Sequence, residues 1–154
     1  MPTTTEAPTT TIAVPKEVIQ VFYVQGIRVR AISIEEPTPV GPETKLGALV
    51  QRIGMVTDEL RLATTIASGS ALSSELSRGV ITIELAGSID NVLAEDLPLF
   101  FAQIVLTLLA PSRQGQVVFT QNGEPYPAVR ADQTVLEPGQ PVAWEDYVDL
   151  IVGE

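Results

Sequence analysis

From Leu97 to Ala110 the chain runs for 14 residues whose only side-chain hydrogen-bonding groups are those of Gln103 and Thr107. A helix that is apolar on all sides must be covered on all sides. The run is too short to cross a bilayer, which takes roughly 20 residues. It therefore predicts a helix buried by the rest of the chain. Glu95, Asp96 and Pro98 crowd its first turn, as helix starts prefer, and Pro111 stops it, giving a helix over 95–109. Whatever else this sequence builds has to wrap that element.

The chain has 154 residues, 45% of them hydrophobic, and neither His nor Cys. Its length suits one domain with enough core to fold without a disulfide or a structural metal. Without imidazole or thiol it has no Ser-His-Asp or Cys-His pair, no soft-metal site and no thiol redox centre. We accordingly expect a non-enzymatic protein with no cofactor and no metal. The net charge of −10, with only nine basic residues, opposes binding to a polyanion, so nucleic acid is not expected as a partner.

Strand and helix signals alternate irregularly. Val18, Ile19, Val21, Phe22, Tyr23 and Val24 form a β-rich run, and Gln25-Gly26 turns it into a second strand over 27–34. There Ile27, Val29 and Ala31 are expected on one face and Arg28 and Arg30 on the other. Leu46, Leu49, Val50 and Ile53 have helical spacing within 45–55, with Pro42 and Glu43 suited to the start. The stretch 57–79 is weakly periodic. It reads as an extended segment over 62–66, a Ser68-Gly69 turn and a strand over 71–75. After Arg78-Gly79 comes the clearest alternation, with Ile81, Ile83 and Leu85 inward and Thr82 and Glu84 outward. Val117, Val118 and Phe119 make a further strand, Asn122-Gly123 is a hairpin turn, and Pro125 and Pro127 restrict the return strand to an edge. Trp144, Tyr147, Val148 and Ile151 share helical spacing over 144–151. The pattern predicts an α+β fold: a mixed or mainly antiparallel sheet with two principal helices packed on one face.

Several of these segments together resemble the GerMN domain of sporulation and spore-germination proteins, which also occurs in actinobacterial lipoproteins. They are the strand ending VFYV, the strand GVITIELAG, the helix with AQIVLTLL, the hairpin QVVFTQNGEP and the closing EDYVDLI. The likeness spans about 17–151, and its most specific parts are Ala102-Gln103-Ile104-Val105 with Thr107-Leu108, and Asn122-Gly123-Glu124-Pro125. The sequence departs from the family at Ile53-Gly54-Met55-Val56 and Glu59-Leu60, where a Gly-Pro helix end and a Gly-Leu strand entry are common. The resemblance implies a GerMN-like domain over 17–152 that acts outside the cytoplasm and mediates protein–protein interaction or assembly. It carries over no catalytic residue.

Residues 2–15 contain six Thr and three Pro and lack the apolar surface to offset ordering, so 1–16 is expected to be a disordered leader or stalk. Met1 is followed directly by Pro2-Thr3-Thr4-Thr5, without a signal sequence, and we expect a secretion signal to have been removed. Together with the resemblance, the Thr/Pro stretch implies a domain tethered to the cell membrane as a lipoprotein, its anchor lying outside this sequence. The expected partners are an envelope protein or a second copy of the chain, with peptidoglycan as the alternative.

Gln103 is expected to lock its helix to a sheet by bonding backbone. Arg28 and Arg30 either pair with Glu or Asp on a neighbouring strand or read an anionic group on a partner. Tyr126, Trp144 and Tyr147 could form an aromatic platform for glycan, although packing is the commoner use of such residues. These five residues, Arg28, Arg30, Tyr126, Trp144 and Tyr147, are the candidate interaction surface. Asp146 and Asp149 could share a hard cation, but no loop wraps one, and a solvated face is favoured. Glu84 with Glu95, or Glu124 with Glu137, could be imagined as a glycosidase pair, though nothing local fixes their separation. Ser68, Ser70, Ser73 and Ser74 have no Ser-x-x-Lys motif linking them to Lys16 or Lys45.

Overall fold

A computed structural model describes residues 15–51, 62–67 and 70–152. Strand β1 (Lys16–Gln25) and strand β2 (Arg28–Pro37) form an antiparallel hairpin in register from Lys16 opposite Pro37 to Gln25 opposite Arg28. Gly26, at φ +67°, supplies the first of its two turn residues, where a side chain would be strained. Helix α1 (Pro42–Gln51) follows, with Pro42 and Glu43 in its first turn as expected.

Strand β3 (Ser73–Ser77) pairs antiparallel with β4 (Val80–Glu84), and β4 pairs parallel with β5 (Gln116–Gln121). Strand β6 (Glu124–Tyr126) closes the order β3-β4-β5-β6 as an edge, where its Pro125 costs least. Parallel neighbours need a crossover, and α2 (Leu97–Leu109), entered through a 3-10 turn at Ala94–Asp96, supplies it. The fold is α+β, with mixed pairing and, among the described residues, two α-helices.

All of Pro98–Leu109 is buried, as the 14-residue run demanded. Phe101 of α2 meets Phe119 of β5 edge-on at 4.7 Å between centroids and Phe100 at 5.4 Å. Such pairs add about 0.5–1.5 kcal/mol each to their area burial. Ile81, Ile83 and Leu85 are at most 7% exposed, so the alternation in β4 holds.

Four expectations need correction. The strands make two sheets rather than one, because the outer edge of β1 is occupied by other groups, described below. Ile27 is not a face residue of β2; it is the second turn residue of the hairpin and 83% exposed. The strand expected over 71–75 lies at Ser73–Ser77. The closing helix is instead two 3-10 turns, Trp144–Asp146 and Val148–Leu150. Side chains three apart eclipse in a 3-10 turn, so Trp144 and Tyr147 mimic helical spacing in the sequence. Of the leader expected over 1–16, Lys16 already belongs to β1; residues 1–14, the end of the first helix beyond Gln51 and the Ser68-Gly69 turn lie outside the described residues.

Candidate functional site

Two polar side chains on α2 complete the edge of β1. Gln103, fully buried, donates from Nε2 to the Phe22 carbonyl (3.1 Å) and to Thr64 Oγ1 (3.0 Å). Its Oε1 accepts from the Thr65 amide (2.9 Å) and hydroxyl (2.7 Å). The Phe22 amide donates to Thr107 Oγ1 at 3.1 Å. Both backbone groups of Phe22 are thus met by helix side chains, while Val24 exchanges two 2.8 Å bonds with Ala63 on the same edge. Every donor and acceptor of Gln103 is used, so it has none left for a ligand. The two breaks in the apolar run are structural, as expected of Gln103.

Lys45 of α1 donates to the Leu108 and Ala110 carbonyls (3.1 and 2.7 Å), capping the negative end of α2. Burial pushes its ammonium below the usual lysine range, and Glu17 pulls the other way. Glu43 takes the Ser74 amide and hydroxyl. Asp146 pairs with Arg130 Nε at 3.0 Å and accepts from the Ala143 amide, a role in the C-terminal turns rather than in a cation site with Asp149. Among the described residues no group of three or more Asp or Glu stands close enough to hold a metal.

Glu84 is engaged by four donors. Its Oε1 accepts from Thr120 Oγ1 (3.1 Å) and the Gly123 amide (2.8 Å), and its Oε2 from the amides of Ala86 (2.6 Å) and Asn122 (3.1 Å). The backbone donors of Gly123 and Ala86 hold this carboxyl below the usual carboxylate range. A general acid needs the opposite shift, and a carboxylate held by four donors is a fixed one.

The five candidate surface residues separate. Arg28 and Arg30 are exposed on one face of β2, as expected. Opposite them on β1 stand Gln25 and Tyr23 rather than carboxylates, and Arg30 donates to Gln25 Oε1 at 3.4 Å. Tyr126 is half-buried, its ring 6.5 Å from that of Phe101. Trp144 (5% exposed) and Tyr147 (0%) belong to the core. Trp144 lies edge-on to Phe22 under the Arg113 guanidinium, 5.0 Å from its ring centre. The Tyr147 hydroxyl donates to the Val129 carbonyl at 2.8 Å, and burial pushes that phenol well above its usual range. An aromatic platform built on Trp144 and Tyr147 does not exist at this surface; packing took both rings.

A cleft of about 440 Å³ opens instead where the β1–β2 turn meets the start of α2. Ile27, Pro98, Leu99, Ala131 and Leu150 give it apolar walls, and Glu95 and Asp96 line it with carboxylates. Arg28 follows Ile27 in the chain but does not line the depression, whose charged residues are Glu95 and Asp96. The sequence pattern puts Ile27 on a strand face with Val29 and Ala31, and reads Glu95 and Asp96 as helix-start residues, with Glu95 also a conceivable partner of Glu84. Gly26 is the signal: as the first residue of a two-residue hairpin loop it puts Ile27 at the tip. The 3-10 turn that brings Glu95 to the cleft had no such signal.

No family model matches the chain, and no curated protein matches it. Among solved structures it is similar to the first GerMN domain of the sporulation protein GerM from Bacillus subtilis. That match has a TM-score of 0.52 and 14% identity, and covers 70% of this chain and 84% of that one. At this identity the likeness is one of fold. Among the described residues no helix is long and apolar enough to cross a membrane.

Proposed function

We propose that this chain is a non-enzymatic, extracytoplasmic cell-envelope domain of sporulation type that binds another protein, or itself, through the hairpin tip and its cleft. The observation that carries the reading is Ile27. An isoleucine 83% exposed beside an acid-lined cleft of mixed polarity keeps a large aliphatic side chain at the surface. An aliphatic centre with charged groups around it is the usual anatomy of a binding patch. The GerMN-like fold supports the family context, and the Thr/Pro stretch at 2–15 supports a tethered domain.

Site-specific photo-crosslinking tests this. A photoreactive residue at Ile27 should capture an envelope protein or a second copy of the chain. The same residue at Leu76, also exposed (61%) but on β3, which contributes no residue to the cleft, should not. Replacing Arg28 and Arg30 together by Gln should weaken capture at Ile27 while costing less than about 1 kcal/mol in stability, since both are exposed. Equal capture at both positions, or saturable co-sedimentation with purified peptidoglycan that Ile27→Asp leaves intact, would refute it.

A further inference from the structure

The surroundings of Glu84 form a receptor in their own right. Ala86 (φ +47°) and Gly87 (φ +81°) are consecutive left-handed residues just after β4, and Asn122 (φ +53°) and Gly123 (φ +81°) repeat the conformation in the β5–β6 turn. Both pairs make tight turns, and amides at such turns can point together at an anion. Here the two loops face each other. The amides of Ala86, Asn122 and Gly123 and the Thr120 hydroxyl converge on a single carboxylate. Gln121 steadies the same pair of loops, accepting from the Gly87 amide (3.0 Å) and donating to Asp90 (3.2 Å).

We propose that the loops at 85–87 and 120–123 form a carboxylate-binding nest which Glu84 fills in cis, and which accepts a free monocarboxylate when that side chain is shortened. The class of ligand follows from the donors. Four donors, two to each oxygen, match the four lone-pair positions of a planar carboxylate. None of the four is a cationic side chain, and the nearby ionisable groups are acidic: Asp90, bound through Gln121, and Glu124, which opens β6. A dianionic phosphate is therefore disfavoured. The nest is independent of the cleft at the hairpin tip.

Glu84→Ala removes a CH2–COO⁻ fragment, which is acetate less one hydrogen. The melting temperature of this variant should fall by about 2 °C. Acetate or formate near neutral pH should restore it in a saturable way, while equal chloride should not. In the same titration the amide resonances of Ala86, Asn122 and Gly123 should move with one shared affinity, and those of the wild-type chain should stay still. Rescue no better than with chloride, or shifts spread evenly over the surface, would overturn the proposal. Should Glu84→Ala fail to fold, acid titration of the wild-type chain decides. The three amides must then move together at a single midpoint below the usual glutamate range, and separate or absent transitions would refute the nest.

Discussion

In the middle of the molecule Gln103 closes the open edge of β1 with an amide, and at the end of β4 Glu84 closes two turns with a carboxylate. Both side chains saturate their bonding capacity with backbone and hydroxyl partners. Their surroundings differ. Gln103 is 0% exposed, where an unmet polar group costs its full desolvation. Glu84 lies in contact with water, which can replace any bond it loses. A neutral amide suits the dry position because it matches donors and acceptors without burying charge. A carboxylate suits the wet one because all its partners are donors. The first arrangement is costly to break and indifferent to pH, and the second is cheap to break and sensitive to it.

The largest effect should come from Gln103→Leu. It keeps the volume but strands the Phe22 carbonyl and the Thr65 amide, and urea unfolding should show a loss of about 3 kcal/mol. Thr107→Val should cost about 1–2 kcal/mol, since only the Phe22 amide loses its partner. If the two losses are equal, the edge of β1 is not held mainly by the amide, and the contrast with Glu84 weakens. The smallest effect should belong to Glu84→Gln and should depend on pH. Because the folded protein holds Glu84 below its ordinary value, its contribution is complete above the unfolded carboxyl range, near pH 4.3, and fades as pH falls through the lowered folded value. Melting curves of Glu84→Gln and the wild-type chain should therefore differ at neutral pH and converge in acid, whereas the loss in Gln103→Leu should persist across the same range.

These two sites also show how far the residues alone could be read. Gln103 was legible because a single amide in an apolar helix has few stable roles, and bonding to backbone is the commonest. Glu84 was legible only as an outward residue of an alternating strand. Its four donors come from two stretches of chain more than 30 residues apart, and no local pattern announces that they converge. Trp144 and Tyr147 were visible as a pair sharing one side, yet spacing of three fits a 3-10 turn as well as a helix, and it does not say whether that side faces water. For Ile27 the apolar identity suggested burial, while the Gly26 turn beside it decided exposure.

The order of residues settled the elements held by short-range physics: an all-buried helix from an unbroken apolar run, a half-buried strand from strict alternation, and tight turns from Gly26, Arg78-Gly79 and Asn122-Gly123. Tertiary structure decided what depends on groups far apart in the chain. It split the strands into two sheets by giving the edge of β1 to Gln103 and Thr107, 81 and 85 residues from Phe22. It also gathered the Glu84 donors and opened the cleft beside Ile27. Periodicity describes which side of an element is apolar, but only packing determines what that side meets.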